Sequence, residues 1–148
     1  FSACDFMPTL LTYLDLPVPT DRNLSGTAMV PTWLGEDTGA REHVVICDEY
    51  GDTRMIRTNT RKYVHRFPSG PDELYDLVKD PDERTNLAMI DDYQGQLAIL
   101  RRDLDAWFER YADRAMDGRD RGVTGLGQLR PIRGVDTATG KTFADQDD

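Results

Sequence analysis

With 148 residues, 30% of them charged, a net charge of −9 and a mean hydropathy of −0.60, the chain has the length of one domain but must gather its apolar side chains into a few segments. No basic run exceeds two residues, so no clustered positive face of the kind a phosphate backbone requires is visible, which argues against nucleic acid as a partner. No stretch approaches the ~20 apolar residues of a membrane-spanning helix.

The first predicted element is a short amphipathic helix over residues 2–14. Ser2, followed three residues later by Asp5, has the form of a capping box. Phe6, Leu10, Tyr13 and Leu14 then share one helical face, which Met7 and Leu11 widen. Pro8 lacks an N–H and restarts or kinks the helix near its first turns. Residues 16–39 read as an irregular connector: Leu16-Pro17-Val18-Pro19 is extended, Asn23-Leu24-Ser25-Gly26 is a turn, and Pro31 to Gly35 is a single helical turn closed by glycine. So long a stretch without regular structure is expected to wrap over a neighbouring domain.

Four short strands follow, around residues 43–49, 54–58, 62–67 and 73–77, the middle pair joined through Asn59-Thr60-Arg61 and the last pair through the turn Ser69-Gly70-Pro71-Asp72. In the third strand Tyr63, His65 and Phe67 share one face and Lys62, Val64 and Arg66 the other. After the turn sequence Asp80-Pro81-Asp82-Glu83, a long helix is predicted over 91–115. Its stripe of Tyr93, Leu97, Leu100, Leu104, Trp107 or Phe108, and Tyr111 would cover one sheet face. From residue 113 onward only isolated apolar residues remain, so the tail is expected to be extended or loosely ordered. The fold class is therefore α+β: a small antiparallel sheet of about four strands packed on a long C-terminal helix, preceded by a short helix and an irregular connector. Residues 1–39, 40–116 and 117–148 form the three sections. Cys4 and Cys47 are read as buried thiols with no disulfide between them, and His43 as exposed.

Two sets of residues, in order, resemble the C-terminal region of sulfatases, in the alkaline phosphatase superfamily. The first is Ser2-Ala3-Cys4-Asp5-Phe6-Met7-Pro8-Thr9-Leu10-Leu11 with Leu16-Pro17-Val18-Pro19 and Leu24-Ser25-Gly26. The second is Glu73-Leu74-Tyr75-Asp76-Leu77, Asp80-Pro81-Asp82-Glu83 and Asn86-Leu87-Ala88. Arg54-Met55-Ile56-Arg57 and Arg61-Lys62-Tyr63 between them are similar to that family's hairpin. The resemblance implies a parent that hydrolyses sulfate esters on a sulfated small molecule or sugar. It uses a formylglycine made within a Cys/Ser-x-Pro/Ala-x-Arg motif and a divalent cation, usually calcium. Cys4 is followed by Asp5-Phe6-Met7-Pro8 and Cys47 by Asp48-Glu49-Tyr50-Gly51, so neither fits that motif.

The expectation is accordingly a sulfatase C-terminal piece, inactive alone, with no catalytic or metal-binding residue of its own. The missing N-terminal catalytic domain is its partner, and the break falls within that domain's last helix. The exposed helix near the N-terminus could also make a homo-oligomer. The compartment of the parent, whether cytoplasmic, periplasmic or secreted, is left open. Glu49, Arg54, Arg57 and His65 are the candidate substrate-recognising residues, because this sheet borders the cleft in the family and arginine suits an anionic or sugar group. The competing reading makes His65 a core histidine and the arginines solvated or paired to carboxylates. A related phosphodiesterase or phosphonate monoester hydrolase is the alternative parent, and a stand-alone acidic interaction module is the alternative of another class.

Overall fold

The computed structural model describes residues 2–36, 41–47, 53–67, 70–113 and 117. Ser2 caps a 3-10 turn, Ala3–Asp5, that runs directly into α1, Phe6–Tyr13. The capping box forms as the sequence implies: the Ser2 hydroxyl accepts from the Cys4 N–H at 3.4 Å, and the Ser2 N–H donates to Asp5 Oδ2 at 2.7 Å. Pro8 falls in the first turn of α1, where its missing N–H has no helical acceptor to lose. The helix ends when Leu16 N–H reaches back to Leu11 and Asp15 N–H to Thr12, with Asp15 at a φ of 55°. The same closure ends α2, Val30–Trp33, where Gly35 takes the left-handed position at φ 85° without a Cβ penalty.

Strands β1 (Val44–Cys47), β2 (Thr53–Arg57), β3 (Arg61–Arg66) and β4 (Glu73–Asp76) form an antiparallel meander in the order β1-β2-β3-β4. Register places Arg54 opposite His65 and Ile56 opposite Tyr63, and Tyr63 in turn faces Leu74. Because side chains alternate along each strand, Val45, Ile56, Tyr63 and Leu74 point to one face. There α3, Gln94–Tyr111, seats Leu100 and Leu104, and Leu87, Tyr93, Leu97, Trp107 and Phe108 close the rim. This core draws no residue from α1 or α2. The helix starts later than its apolar period suggests. Asp91–Tyr93 form a 3-10 turn, in which the two aspartates meet the positive end of the helix, and Ala112 is already extended.

Two side-chain devices finish the sheet. Asp76 accepts from the N–H groups of Val78 and Lys79, both at 3.1 Å, and pairs with Arg61 at 2.9 Å, which turns the chain at the end of β4. Asn86 completes the free edge of β4: its Oδ1 accepts from Leu74 N–H at 3.0 Å and Ala88 N–H at 2.9 Å, while its Nδ2 donates to the Asp72 carbonyl at 3.0 Å. These bonds occupy an edge that would otherwise present open donors and acceptors. Replacing Asn86 with alanine should cost about 1–3 kcal/mol in urea unfolding, since polar groups at a covered edge lose their partners. Amide exchange of Leu74 and Ala88 should accelerate with it.

Several expectations at single residues are corrected. Cys47 is exposed and Cys4 half-buried, because the end of β1 lies beyond the cover of α3; no disulfide joins them. His43, expected at the surface, is half-buried. Of the tail from residue 117 to 148, only Asp117 lies within the described residues. Among the described residues no helix is long and apolar enough to cross a membrane.

Candidate functional site

Of the four residues singled out in the sequence, the three that are described divide between the two faces of the sheet. Glu49 lies outside the described residues. Arg57 is exposed on the sheet face away from α3, whereas Arg54 and His65 sit side by side on the covered face. A charged residue in a half-polar strand reads as solvent-facing, yet Arg54 is 3% exposed. Its guanidinium lies 3.7 Å from the centre of the Phe108 ring and 5.3 Å from that of Phe67, and it pairs with Asp117. Stacking on two aromatic faces and one carboxylate partner offset the loss of water that burial imposes. Arg54 thereby ties β2, α3 and the chain beyond α3 together.

His65 belongs to a cluster that the sequence reading did not assemble. Asp72, in the turn between β3 and β4, accepts from the Tyr63 hydroxyl at 2.7 Å, approaches His65 Nδ1 to 2.8 Å and accepts from the Arg66 N–H at 3.3 Å. Burial works to raise the Asp72 carboxyl, but the hydrogen bonds from Tyr63, His65 and the Arg66 backbone outweigh it and hold the group below the usual carboxylate range. Tyr63 is fully buried, and burial together with the neighbouring Asp72 pushes its hydroxyl well above the ordinary phenol value. The phenol therefore stays protonated and serves as a donor. Phe67 closes the group edge-on, its ring centre 4.0 Å from that of His65. The alternation of Tyr63, His65 and Phe67 was the available signal, and Asp72 was read only as turn chemistry.

A second node stands under α1. Asp5, fully buried, accepts from Ser2 N–H at 2.7 Å and Thr27 N–H at 2.9 Å and pairs with Arg41. Burial raises its carboxyl, and the bonds from Thr27, Ser2 and Arg41 overcome that and lower it. Thr9 beside it accepts from Met29 N–H at 3.0 Å. Gly26 passes so close to the 3-10 turn that a Cβ there would lie 1.9 Å from the Cys4 carbonyl oxygen, which accounts for glycine at this point of the Leu24-Ser25-Gly26 segment. Asn23 bonds the Arg110 carbonyl at the end of α3, so the connector spans from α1 to the sheet-and-helix unit.

Both nodes are positioning devices. No group of three or more His, Cys, Asp or Glu residues among those described is placed to hold a metal ion.

No protein-family model matches the chain. It is 35% identical over 116 residues to a Delta 4,5-hexuronate-2-O-sulfatase of Bacteroides thetaiotaomicron, covering 74% of this chain and 24% of that protein. A solved 2-O GAG sulfatase superposes with a TM-score of 0.59 at 34% identity, over 72% of this chain and 24% of its own. The phosphonate monoester hydrolase of Agrobacterium radiobacter superposes with a TM-score of 0.55 at 33% identity, over 69% of this chain and 23% of its own. The chain thus spans about a quarter of the length of the relatives it matches. The chain belongs to the sulfatase family and corresponds to the C-terminal region of its members.

Proposed function

We propose that this chain is the C-terminal section of a sulfuric ester hydrolase, acting on a sulfate ester carried by a sugar or another small molecule, and that by itself it has no turnover. The observation that carries this is the pairing of 35% identity to a sulfatase with coverage of only 24% of its length. In this reading residues 1–39 contribute the last helix and connector of the catalytic domain, residues 40–116 form the C-terminal subdomain, and residues 117–148 are an extension.

The formylglycine and calcium that the family resemblance implies do not fit the residues here. Neither cysteine lies in a Cys-x-Pro-x-Arg context, and no described cluster can ligate a cation. The nucleophile and the metal site therefore belong to the other three-quarters of the parent. This section supplies rigidity: the Asp5 node holds α1 to the connector, and the Tyr63–His65–Asp72 cluster with Arg54 fixes one end of the sheet. Of the candidate recognition residues, Arg57 is the described one whose exposure suits an anionic ligand.

The purified 148-residue chain, assayed with calcium and a chromogenic aryl sulfate, should give no turnover above the uncatalysed rate. Measurable turnover that tracks with the purified chain would overturn the reading. The likeness to the phosphonate monoester hydrolase supports a second parent chemistry. Assaying the longer polypeptide against paired sulfate and phosphonate esters separates the two.

A further inference from the structure

We propose that the Arg54 guanidinium is a carboxylate seat, filled from within the chain by Asp117, and that a small free carboxylate such as formate takes the same place when Asp117 is absent. The seat stands on the sheet face that α3 covers. In register Arg54 lies between Cys47 of β1 and His65 of β3, and it is 3% exposed. Its guanidinium carbon is 3.7 Å from the ring centre of Phe108 and 5.3 Å from that of Phe67. Aromatic rings attract the cation without meeting its N–H donors, which still require oxygen acceptors.

Among the described residues the carboxylate that answers is Asp117, beyond the end of α3, which accepts from Nη2. The match is incomplete. Arginine presents parallel N–H groups that one carboxylate can accept as a pair, yet Nε of Arg54 is buried without a hydrogen-bond partner. An unmet donor in the interior opposes folding. Asp117 is fastened to the chain after α3 and reaches one nitrogen. An untethered carboxylate can bring its two oxygens to Nε–H and Nη2–H side by side.

The ligand class follows from these donors: planar, with two acceptor oxygens on one carbon, and small enough to replace the head of an aspartate. An arginine that only filled this space would be no better than an apolar residue, because a buried ion pair rarely outperforms apolar packing. Asp117 is thus an exchangeable ligand, and the chain beyond α3 is held to the sheet by a contact that a competing carboxylate can replace. The seat is independent of the ester that the parent hydrolyses.

The test unfolds the full 148-residue chain carrying Asp117→Ala with urea, in sodium formate and in sodium chloride of equal ionic strength. In chloride the substitution should raise the unfolding constant by about tenfold or more, since it removes one partner of a buried pair. A ligand bound only by the native state multiplies the folding constant by one plus its concentration over Kd, so formate should restore about tenfold near ten times Kd. The unsubstituted chain, whose seat is filled, should change by less than about twofold over the same range. An unfolding constant unmoved by the loss of Asp117, equal recovery in chloride, or an equal response of the unsubstituted chain overturns the proposal. Adding Arg54→Met to Asp117→Ala should abolish the response to formate, and a response that persists without the guanidinium overturns it too. Where that double variant does not fold, the side-chain N–H resonance of Arg54 Nε in Asp117→Ala decides. A saturable downfield shift with formate supports the seat, and its absence overturns it.

Discussion

Replacing Asp5 with alanine should release α1 from the connector at a cost of about 3 kcal/mol, the largest effect expected from a polar residue in the chain. The carboxylate is fully buried and accepts from Ser2 N–H, Thr27 N–H and the Arg41 guanidinium. Its removal leaves two amide donors and a partly buried cation without their acceptor, and unmet donors are dearer than the net worth of the bonds themselves. The loss should be local, since the core of the sheet and α3 takes nothing from α1. The readout is amide exchange at Thr27 and Met29, accelerated roughly 100-fold at 1.4 kcal/mol per decade, while exchange within β2 and β3 stays unchanged. If β2 and β3 exchange as fast as the connector, the two regions are one cooperative unit and this account fails. Because the folded carboxyl lies below its unfolded value of about 3.9, its contribution is complete above that value. It should fade as the pH falls through the lower folded value. Asp5→Asn should remove that acid-dependent step.

Leu104→Ala should lower global stability by about 3 kcal/mol in denaturant unfolding, with the slope unchanged. Leu104 is 1% exposed and, with Leu100, supplies the fully buried contact of α3 to the sheet. Truncation loses the transfer free energy of the deleted carbons and leaves a cavity that Ile56, Tyr63 and Leu74 cannot close without bending the strands. Ile99, on the same helix and 51% exposed, is the control: Ile99→Ala should stay within about 0.5 kcal/mol. Similar losses at both positions would mean that helix propensity, not packing on the sheet, sets the stability of α3.

How much of this was legible in the sequence depended on the range of each interaction. The capping box spans three residues and the β2–β3 connection a handful, so local pattern was enough to place them. The stripe along α3 and the alternation in β3 likewise mark which side faces the core. Arg54 went the other way. Its charge argues for solvent, and only the approach of Phe108 from a helix about fifty residues later, with Asp117 beyond it, makes burial tolerable. Asp72 was read as a turn residue because nothing in a linear string says that a carboxylate after β3 will meet a phenol and an imidazole from the strand it follows. Asn86 was visible as part of a family pattern, but its work at the β4 edge became apparent only once Leu74 lay beside it.

The sequence by itself determined the α+β class, the order of the elements, the family and the absence of the formylglycine motif, because these rest on periodicity, short-range capping and contiguous residues. Only the tertiary structure decided which charged groups are buried and which side of α1 is left in water. Those outcomes depend on partners brought together across tens of residues, and burying a charge is tolerated only where such partners converge.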